Sequence, residues 1–242
     1  MAGARSSILS IFFPRTCVMC GKYIEIENEE NGYICAHCMD SLPRTEQGEL
    51  RENSTEMTLW GEMKSRTAAR KVMHLERAAA FLFFEKEHPV QRAIHKMKYS
   101  DQPEIGLQLA REAAREFIHS DFFEGIDVII PVPLHPNRMR SRGYNQSEYI
   151  AQGLGDITRI PIDTTHLTRN RDTPKQALQN REGRIANVLD AFSVNHPEQM
   201  YHKHILLVDD LITTGETVRA CLKAMRLFRG AKFSVFGLCK AK

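Results

Sequence analysis

Long apolar runs are missing from this chain of 242 residues. No stretch approaches the roughly 18 to 20 apolar residues that cross a bilayer. The apolar segment 8–13 is too short for a signal-peptide core and is followed by Pro14. We therefore expect a cytoplasmic protein without membrane insertion. Hydrophobic residues make up 42% and charged residues 26% of the chain, which is typical of a globular protein and excludes the disordered and collagen-like classes.

A large excess of charge of one sign is also missing. The 33 Lys and Arg residues outnumber the 30 Asp and Glu residues by a formal net charge of only +3. Bulk charge therefore does not indicate a nucleic-acid-binding protein, and any binding of anions must depend on local clusters of basic residues.

Cysteines are few but unevenly placed. Four of the six form two C-x-x-C pairs, with fourteen residues between the inner members. These four are Cys17, Cys20, Cys35 and Cys38. Two such turns can complete a tetrahedron of sulfurs around Zn²⁺ and leave no open position, so the spacing predicts a structural zinc ribbon. The alternatives are two disulfides, which a reducing compartment disfavours, or four unligated thiols.

Changes in composition divide the chain into three parts. We expect a zinc ribbon in residues 1–45, a polar linker or arm in 46–75, and an α/β domain in 76–242. Apolar patterns predict strands at 78–84, 126–132, 160–167, 204–208 and 232–238, and helices at 90–97, 104–118, 146–157 and 217–228. Continuously apolar strands that alternate with helices predict a parallel sheet flanked by helices, with ligands beyond the carboxyl ends of its strands.

The most informative segment follows the strand at 204–208. Asp209 and Asp210 come first, and a turn at 213–217 containing threonines and Gly215 then leads into a helix. Such a turn offers backbone N–H groups and a helix dipole to a phosphate. Adjacent carboxylates suit the vicinal hydroxyls of a ribose, with Mg²⁺ nearby to offset their repulsion. The alternative is an ordinary strand-to-helix turn with Thr213 or Thr214 as its N-cap.

This segment resembles the phosphoribosyl pyrophosphate (PRPP) motif of type I phosphoribosyltransferases. Further motifs and the four cysteines together are similar to the ComF family of competence-associated proteins. These motifs are 131–135, Arg138, Arg140, 142–146, Gln176, Arg181 and Asn187. The resemblance covers nearly the whole chain. It implies a type I phosphoribosyltransferase-like α/β sheet flanked by helices, with a small N-terminal zinc ribbon.

The resemblance also implies roles for individual residues. Asp209 and Asp210 would be catalytic and would hold the ribose hydroxyls. The full PRPP-binding set would be Asp209, Asp210, Thr213, Thr214, Gly215, Glu216 and Thr217. Candidates for binding the pyrophosphate beside Mg²⁺ are Arg138, Arg140 and Arg142, and candidates on a flexible loop are Arg169, Arg171, Lys175, Arg181 and Arg184. These basic residues have the alternative of forming a solvated face. Second-rank candidates to line the cleft are His95, Lys96, Lys98 and Tyr144.

Two classes of function are consistent with these residues. The first is a Mg²⁺-dependent phosphoribosyltransferase that releases pyrophosphate and whose acceptor is unknown. The second, suggested by the family's association with natural transformation, is a DNA-uptake factor that binds single-stranded DNA and uses PRPP as a ligand or regulator. Apart from Tyr144, few aromatic residues are interleaved with the basic ones, which disfavours the second class. Only one predicted strand follows the helix at 217–228, which leaves few residues there to form a pocket for the acceptor. We therefore expect the acceptor pocket to be formed by residues 81–118 or by the zinc ribbon.

Overall fold

A computed structural model of the protein describes residues 15–24, 32–45, 75–85, 87–170 and 191–241. Helices in these residues are α1 (Ala36–Asp40), α2 (Val90–Tyr99), α3 (Glu104–Phe117), α4 (Pro136–Arg142), α5 (Gln146–Thr158) and α6 (Glu216–Ala224), with 3₁₀ turns at Pro197–Met200 and Met225–Leu227. Strands are β1 (Leu75–Phe84), β2 (Val128–Pro131), β3 (Leu167–Arg169), β4 (Phe192–Val194), β5 (His204–Ile212) and β6 (Lys232–Ala241).

The main sheet of the described residues has the order β1-β6-β5-β2, and all of its neighbouring strands are parallel. In the middle of β5, Val208 is level with Phe236 of β6 and with Pro131 of β2. The central strands are buried on both faces, as their continuous apolar runs predict. The parallel sheet expected from the sequence is therefore confirmed.

Alternating side chains of the sheet form two separate cores. On one face Leu206 and Val208 of β5 pack with α2, α3 and α5. On the other face Ile205 and Leu207 pack with α6 and with the β3–β4 pair. The sheet is thus flanked by helices on both sides, in three layers.

The predicted strand at 160–167 is wrong. Ile162 makes a single parallel bridge to Ile129, and Leu167 instead begins a short antiparallel pair, β3–β4. Between them the Asp163 carboxylate accepts hydrogen bonds from the backbone N–H groups of Thr165 (3.0 Å) and His166 (2.9 Å). This side chain closes a turn, which ends the strand pairing.

The cysteine-bearing segment packs directly against the α/β domain. Its Ile34 and Leu42 belong to the same apolar core as α2 and α3. The backbone N–H of Tyr33 donates to Oε1 of Gln108 at 2.9 Å, and Arg44 forms an antiparallel bridge with Leu82 of β1. The boundaries at 1–45, 46–75 and 76–242 stay predictions, since residues 46–74 lie outside the described part. No described helix is both long and apolar enough to span a bilayer.

Candidate functional site

The two adjacent aspartates lie within β5, near its carboxyl end, because the strand continues to Ile212. Consecutive side chains of a strand point to opposite faces, and the contacts follow this rule. Asp210 bonds with residues of α2 and α5, whereas the charge of Asp209 acts on Cys221 of α6 and on Arg169 of β3.

Asp210 is held by two other elements. Lys98 of α2 forms an ion pair with it, with 3.0 Å between Nζ and Oδ1. Gln146 of α5 donates through Nε2 to Oδ2 at 2.5 Å. All three side chains are largely buried. Both carboxylate oxygens of Asp210 therefore have a fixed partner.

Asp209 has a different electrostatic environment. Its pKa is raised to about 7, mainly by burial and also by the neighbouring Asp210 carboxylate. The hydrogen bond from the Asp210 backbone N–H to Oδ1 (2.9 Å) and the positive charges of Lys98 and Arg169 act in the opposite direction. A pKa near 7 means that Asp209 gains or loses its proton near neutral pH.

The turn after β5 leads directly to the N terminus of α6. Gly215 is the N-cap residue and has a left-handed backbone (φ 74°), which an L side chain rarely adopts. Thr213 and Thr214 are exposed and precede the cap. The alternative in which one of these threonines is the N-cap is therefore wrong. Glu216 and Thr217 form the first turn of α6.

The three arginines that are candidates for binding the pyrophosphate belong to a helix that the sequence did not predict, α4. Its N-cap is His135, whose Nδ1 accepts a hydrogen bond from the backbone N–H of Asn137 (3.2 Å). Arg138 and Arg142 line a cleft of about 500 Å³. Arg140 instead donates through Nη2 to Oδ1 of Asn137 at 2.6 Å. The structure therefore brings two of the three candidate arginines together.

The cleft lies next to the aspartates, because Lys98 both lines it and forms an ion pair with Asp210. The residues that line it are Lys98, Tyr99, Asp101, Arg138, Ser141, Arg142 and Tyr144. Tyr144 is buried and donates through its hydroxyl to the Met97 carbonyl at 2.7 Å. Three cations, one carboxylate and two phenol rings make the cleft suited to a negatively charged ligand.

Of the five basic candidates that the resemblance assigned to a loop, one lies among the described residues. The Arg169 guanidinium lies 5.2 Å from the centre of the Phe192 ring, and its charge acts on Asp209. The other four, Arg171, Lys175, Arg181 and Arg184, lie outside the described residues.

Three residues of the site received no role, or only a minor one, from the sequence. Lys98 was a second-rank candidate, Gln146 was part of a motif without a role, and Tyr99 was not singled out. In α2, Lys98 and Tyr99 occupy the last turn, where a basic residue is common for reasons of helix stability alone. The pattern therefore does not distinguish a binding lysine from a helix-stabilising one.

The four paired cysteines form a second candidate site. Their sulfurs all lie within 4.8 Å of one another, and the sulfurs of Cys20 and Cys35 are 3.8 Å apart. In tetrahedral coordination with metal–sulfur distances of about 2.3 Å, neighbouring sulfurs lie about 3.8 Å apart. Burial raises the pKa of Cys17, but hydrogen bonds from the backbone at Cys20, Cys35 and Met19 outweigh it and bring the pKa to about 7. The four cysteines are therefore close enough to bind a metal ion.

The chain is similar in sequence to proteins from bacteria. It is 33% identical to the DNA utilization protein YhgH of Escherichia coli O157:H7. The 155 aligned residues cover 63% of this chain and 67% of that protein. It is 31% identical over 157 residues to competence protein F of Haemophilus influenzae, which covers 63% and 69%. No family model matches the chain.

Solved structures show weaker similarity. Glutamine PRPP amidotransferase from B. subtilis is 20% identical to this chain, with a TM-score of 0.38. The match covers 59% of this chain and 30% of the amidotransferase chain. A hypoxanthine phosphoribosyltransferase from Trypanosoma cruzi is 12% identical with a TM-score of 0.32, over 59% and 75%. Because relatives above 30% identity are covered over two thirds of their length, the chain, an α/β protein with a parallel sheet flanked by helices, belongs to the ComF (competence protein F) family.

Proposed function

We propose that this ComF-family protein binds PRPP with Mg²⁺ and transfers the phosphoribosyl group to an acceptor, with release of pyrophosphate. One observation carries the proposal. Asp209 and Asp210 lie near the carboxyl end of the buried parallel strand β5, which leads into a glycine-containing turn and a helix N terminus. This arrangement provides partners for the hydroxyls and the phosphate of a ribose 5-phosphate in one continuous segment.

The sugar would bind to the aspartates and to the turn after β5. Carboxylates accept strong hydrogen bonds from hydroxyls, so Asp209 and Asp210 would bind the two ring hydroxyls. The backbone N–H groups of 213–217 and the dipole of α6 would bind the 5′-phosphate. Left-handed Gly215 lets the backbone turn closely around that phosphate.

The diphosphate would bind on the cleft side, where Lys98, Arg138 and Arg142 lie. A guanidinium can donate to two phosphate oxygens at once. Mg²⁺, when bound, would neutralise part of the diphosphate charge. In the reaction the bond between the anomeric carbon and the pyrophosphate oxygen breaks, and the acceptor forms the new bond to that carbon. The arginines would stabilise the leaving diphosphate, and the carboxylates would stabilise the positive charge on the sugar.

Thermal unfolding with and without PRPP and Mg²⁺ tests this proposal. A ligand at a hundred times its dissociation constant stabilises the folded state by about 2.7 kcal/mol. We expect that stabilisation in the wild-type protein and in the exposed control Glu87→Gln, and its loss in the double variant Asp209→Asn, Asp210→Asn. An undiminished shift in the double variant would reject the site. A screen for pyrophosphate release with nucleobases and amines would then identify the acceptor.

A second candidate function, the binding of single-stranded DNA with PRPP as ligand or regulator, is favoured by the charge of two helices. All charged side chains of α2 and α4 are basic, and Tyr99 of α2 is 57% exposed beside them. An exposed ring among cations can stack a base. The names of the relatives, which include a DNA utilization protein, agree with this function.

DNA binding predicts a steep fall of affinity with salt, because each phosphate contact releases counterions. If Arg138 and Arg142 each contact a phosphate, replacing either by Gln should reduce the slope of log affinity against log salt concentration by about one. The exposed Arg226→Gln, which lies after α6, should not change it. An absence of binding at low salt would eliminate this function.

We further propose that the ion at the four cysteines is Zn²⁺ and that its role is structural. The sulfur spacing fits Zn²⁺, and four thiolates leave no position for a substrate.

A further inference from the structure

A chain of side-chain contacts connects the cleft with the aspartates. Arg142 of α4 donates through Nη1 to Oε1 of Gln146, and Gln146 donates through Nε2 to Asp210. Lys98 of α2 reaches the other oxygen of Asp210. Helices α2 and α5 therefore meet β5 at one carboxylate, and α4 is linked to it through Gln146.

The orientation of the Gln146 amide is determined by its two partners. A guanidinium has only donors, so it requires the amide oxygen, and a carboxylate has only acceptors, so it requires the amide nitrogen. The backbone of Gln146 is equally fixed, because it follows the N-cap Asn145, whose Nδ2 donates to the Val132 carbonyl beyond β2 at 3.1 Å. Gln146 itself is only 7% exposed.

Arg142 is fixed from a second direction as well. Its guanidinium lies 5.2 Å from the centre of the Tyr99 ring, and the His95 ring also packs against Tyr99, at 4.9 Å between centroids. A guanidinium has five N–H donors, and Gln146 takes one of them. Since Arg142 also lines the cleft, its remaining donors are available to a ligand there.

We propose that Gln146 is a positioning residue that couples the two halves of the PRPP site. It holds Arg142 for the diphosphate with its oxygen and Asp210 for the ribose with its nitrogen. This inference rests on the proposed function, since it assigns the cleft to the diphosphate and the strand end to the sugar. It adds that the amide of Gln146 fixes the positions of both Arg142 and Asp210.

The test measures binding of Mg²⁺-pyrophosphate, ribose 5-phosphate and Mg²⁺-PRPP separately by calorimetry. Gln146→Leu keeps the approximate size of the side chain but removes both hydrogen bonds to charged groups. We expect this variant to bind both fragments of PRPP, pyrophosphate and ribose 5-phosphate, more weakly than the wild-type protein does. Its affinity for Mg²⁺-PRPP should fall by roughly ten- to a hundredfold. The exposed Gln152→Leu on the same helix should bind all three as the wild-type protein does.

A second variant separates positioning from general damage to the fold. Gln146→Glu keeps an acceptor for Arg142 but places a carboxylate against Asp210, so it should lose more affinity for ribose 5-phosphate than for pyrophosphate. A purely structural role would weaken both fragments equally in both variants, and that result would overturn the inference. Wild-type affinity in Gln146→Leu would also overturn it while leaving the proposed function intact. A wild-type protein that does not bind PRPP would overturn the proposed function, and this inference with it.

Discussion

Two neighbouring residues of the same type have different properties in this site. Asp210 has both oxygens occupied, by a lysine and an amide. Asp209 is buried beside that negative charge, and its pKa is raised to about 7. The sequence predicts the pair but not this difference, because the partners of Asp210 come from α2 and α5, more than sixty positions away.

Asp209→Asn should change the pH dependence of stability. The raised pKa means that the folded state holds the Asp209 proton more tightly than the unfolded state does. The stabilisation from that proton is complete below about pH 3.8 and is lost as the pH rises through about 7. The asparagine has no such proton to lose, so the variant should gain stability relative to wild type between pH 5 and pH 8. Each unit of pKa shift corresponds to about 1.4 kcal/mol, so we expect a gain on the order of 2 kcal/mol.

Urea unfolding of both proteins at pH 5 and pH 8, without ligand, measures this gain. The exposed Asp121→Asn serves as the control and should follow the wild-type pH dependence. A difference between Asp209→Asn and wild type that stays constant with pH would contradict the raised pKa.

At the scale of elements, α3 and α5 pack closely against each other at Gly153. A Cβ at Gly153 would lie 2.5 Å from the Leu107 carbonyl oxygen and 2.8 Å from Cβ of Ala110. Backbone atoms of a packed helix cannot move aside easily. The absence of a side chain at Gly153 therefore sets how closely the two helices approach.

Gly153→Ala should destabilise the protein, although alanine is the better helix former by about 1 kcal/mol. Overpacking of this kind costs about 1 to 3 kcal/mol, so after the propensity gain we expect a net loss of up to about 2 kcal/mol in the free energy of unfolding. Chemical denaturation measures it. Gln152→Ala, at the exposed neighbouring position, shows the effect of helix propensity alone. A more stable Gly153→Ala variant would mean that the helices can separate without cost.

The elements that could be predicted from sequence are those with a strong apolar pattern. Helices α3 and α5 and the runs of β2 and β6 were located because burial determines their sequences. Helix α4 was missed because none of its residues is buried. Its only sequence indications are Pro136 at the first turn and Gly143 (φ 84°) after the last. The end of β5 was placed too early because two aspartates interrupt its apolar run while its pairing with β6 continues to Ile212.

On the scale of the whole molecule, the cysteine segment and the α/β domain share one apolar core. At the edge of that core, Nε of Arg44 lies 2.6 Å from the Glu116 carboxylate of α3. Gln108 of the same helix accepts hydrogen bonds from the backbone N–H groups of Tyr33 (2.9 Å) and Ile34 (3.3 Å). The sequence could predict the cluster of cysteines but not this contact, since its two sides are about seventy residues apart.

Removal of the metal should therefore destabilise the α/β domain as well as the cysteine segment. Without an ion, the four sulfurs no longer hold the two C-x-x-C turns together, and the apolar residues between them lose their fixed position. For a protein of this size, each kcal/mol lost lowers the Tm by about 2 to 4 °C. Thermal unfolding followed by circular dichroism should show a lower Tm after treatment with a chelator, in a single transition. Cys20→Ser removes one exposed ligand, so this variant should start from a lower Tm and respond less to the chelator. Metal analysis should find about one zinc per chain in the wild-type protein; a value well below one, or an unchanged Tm after complete removal of zinc, would show that the ion does not support the domain.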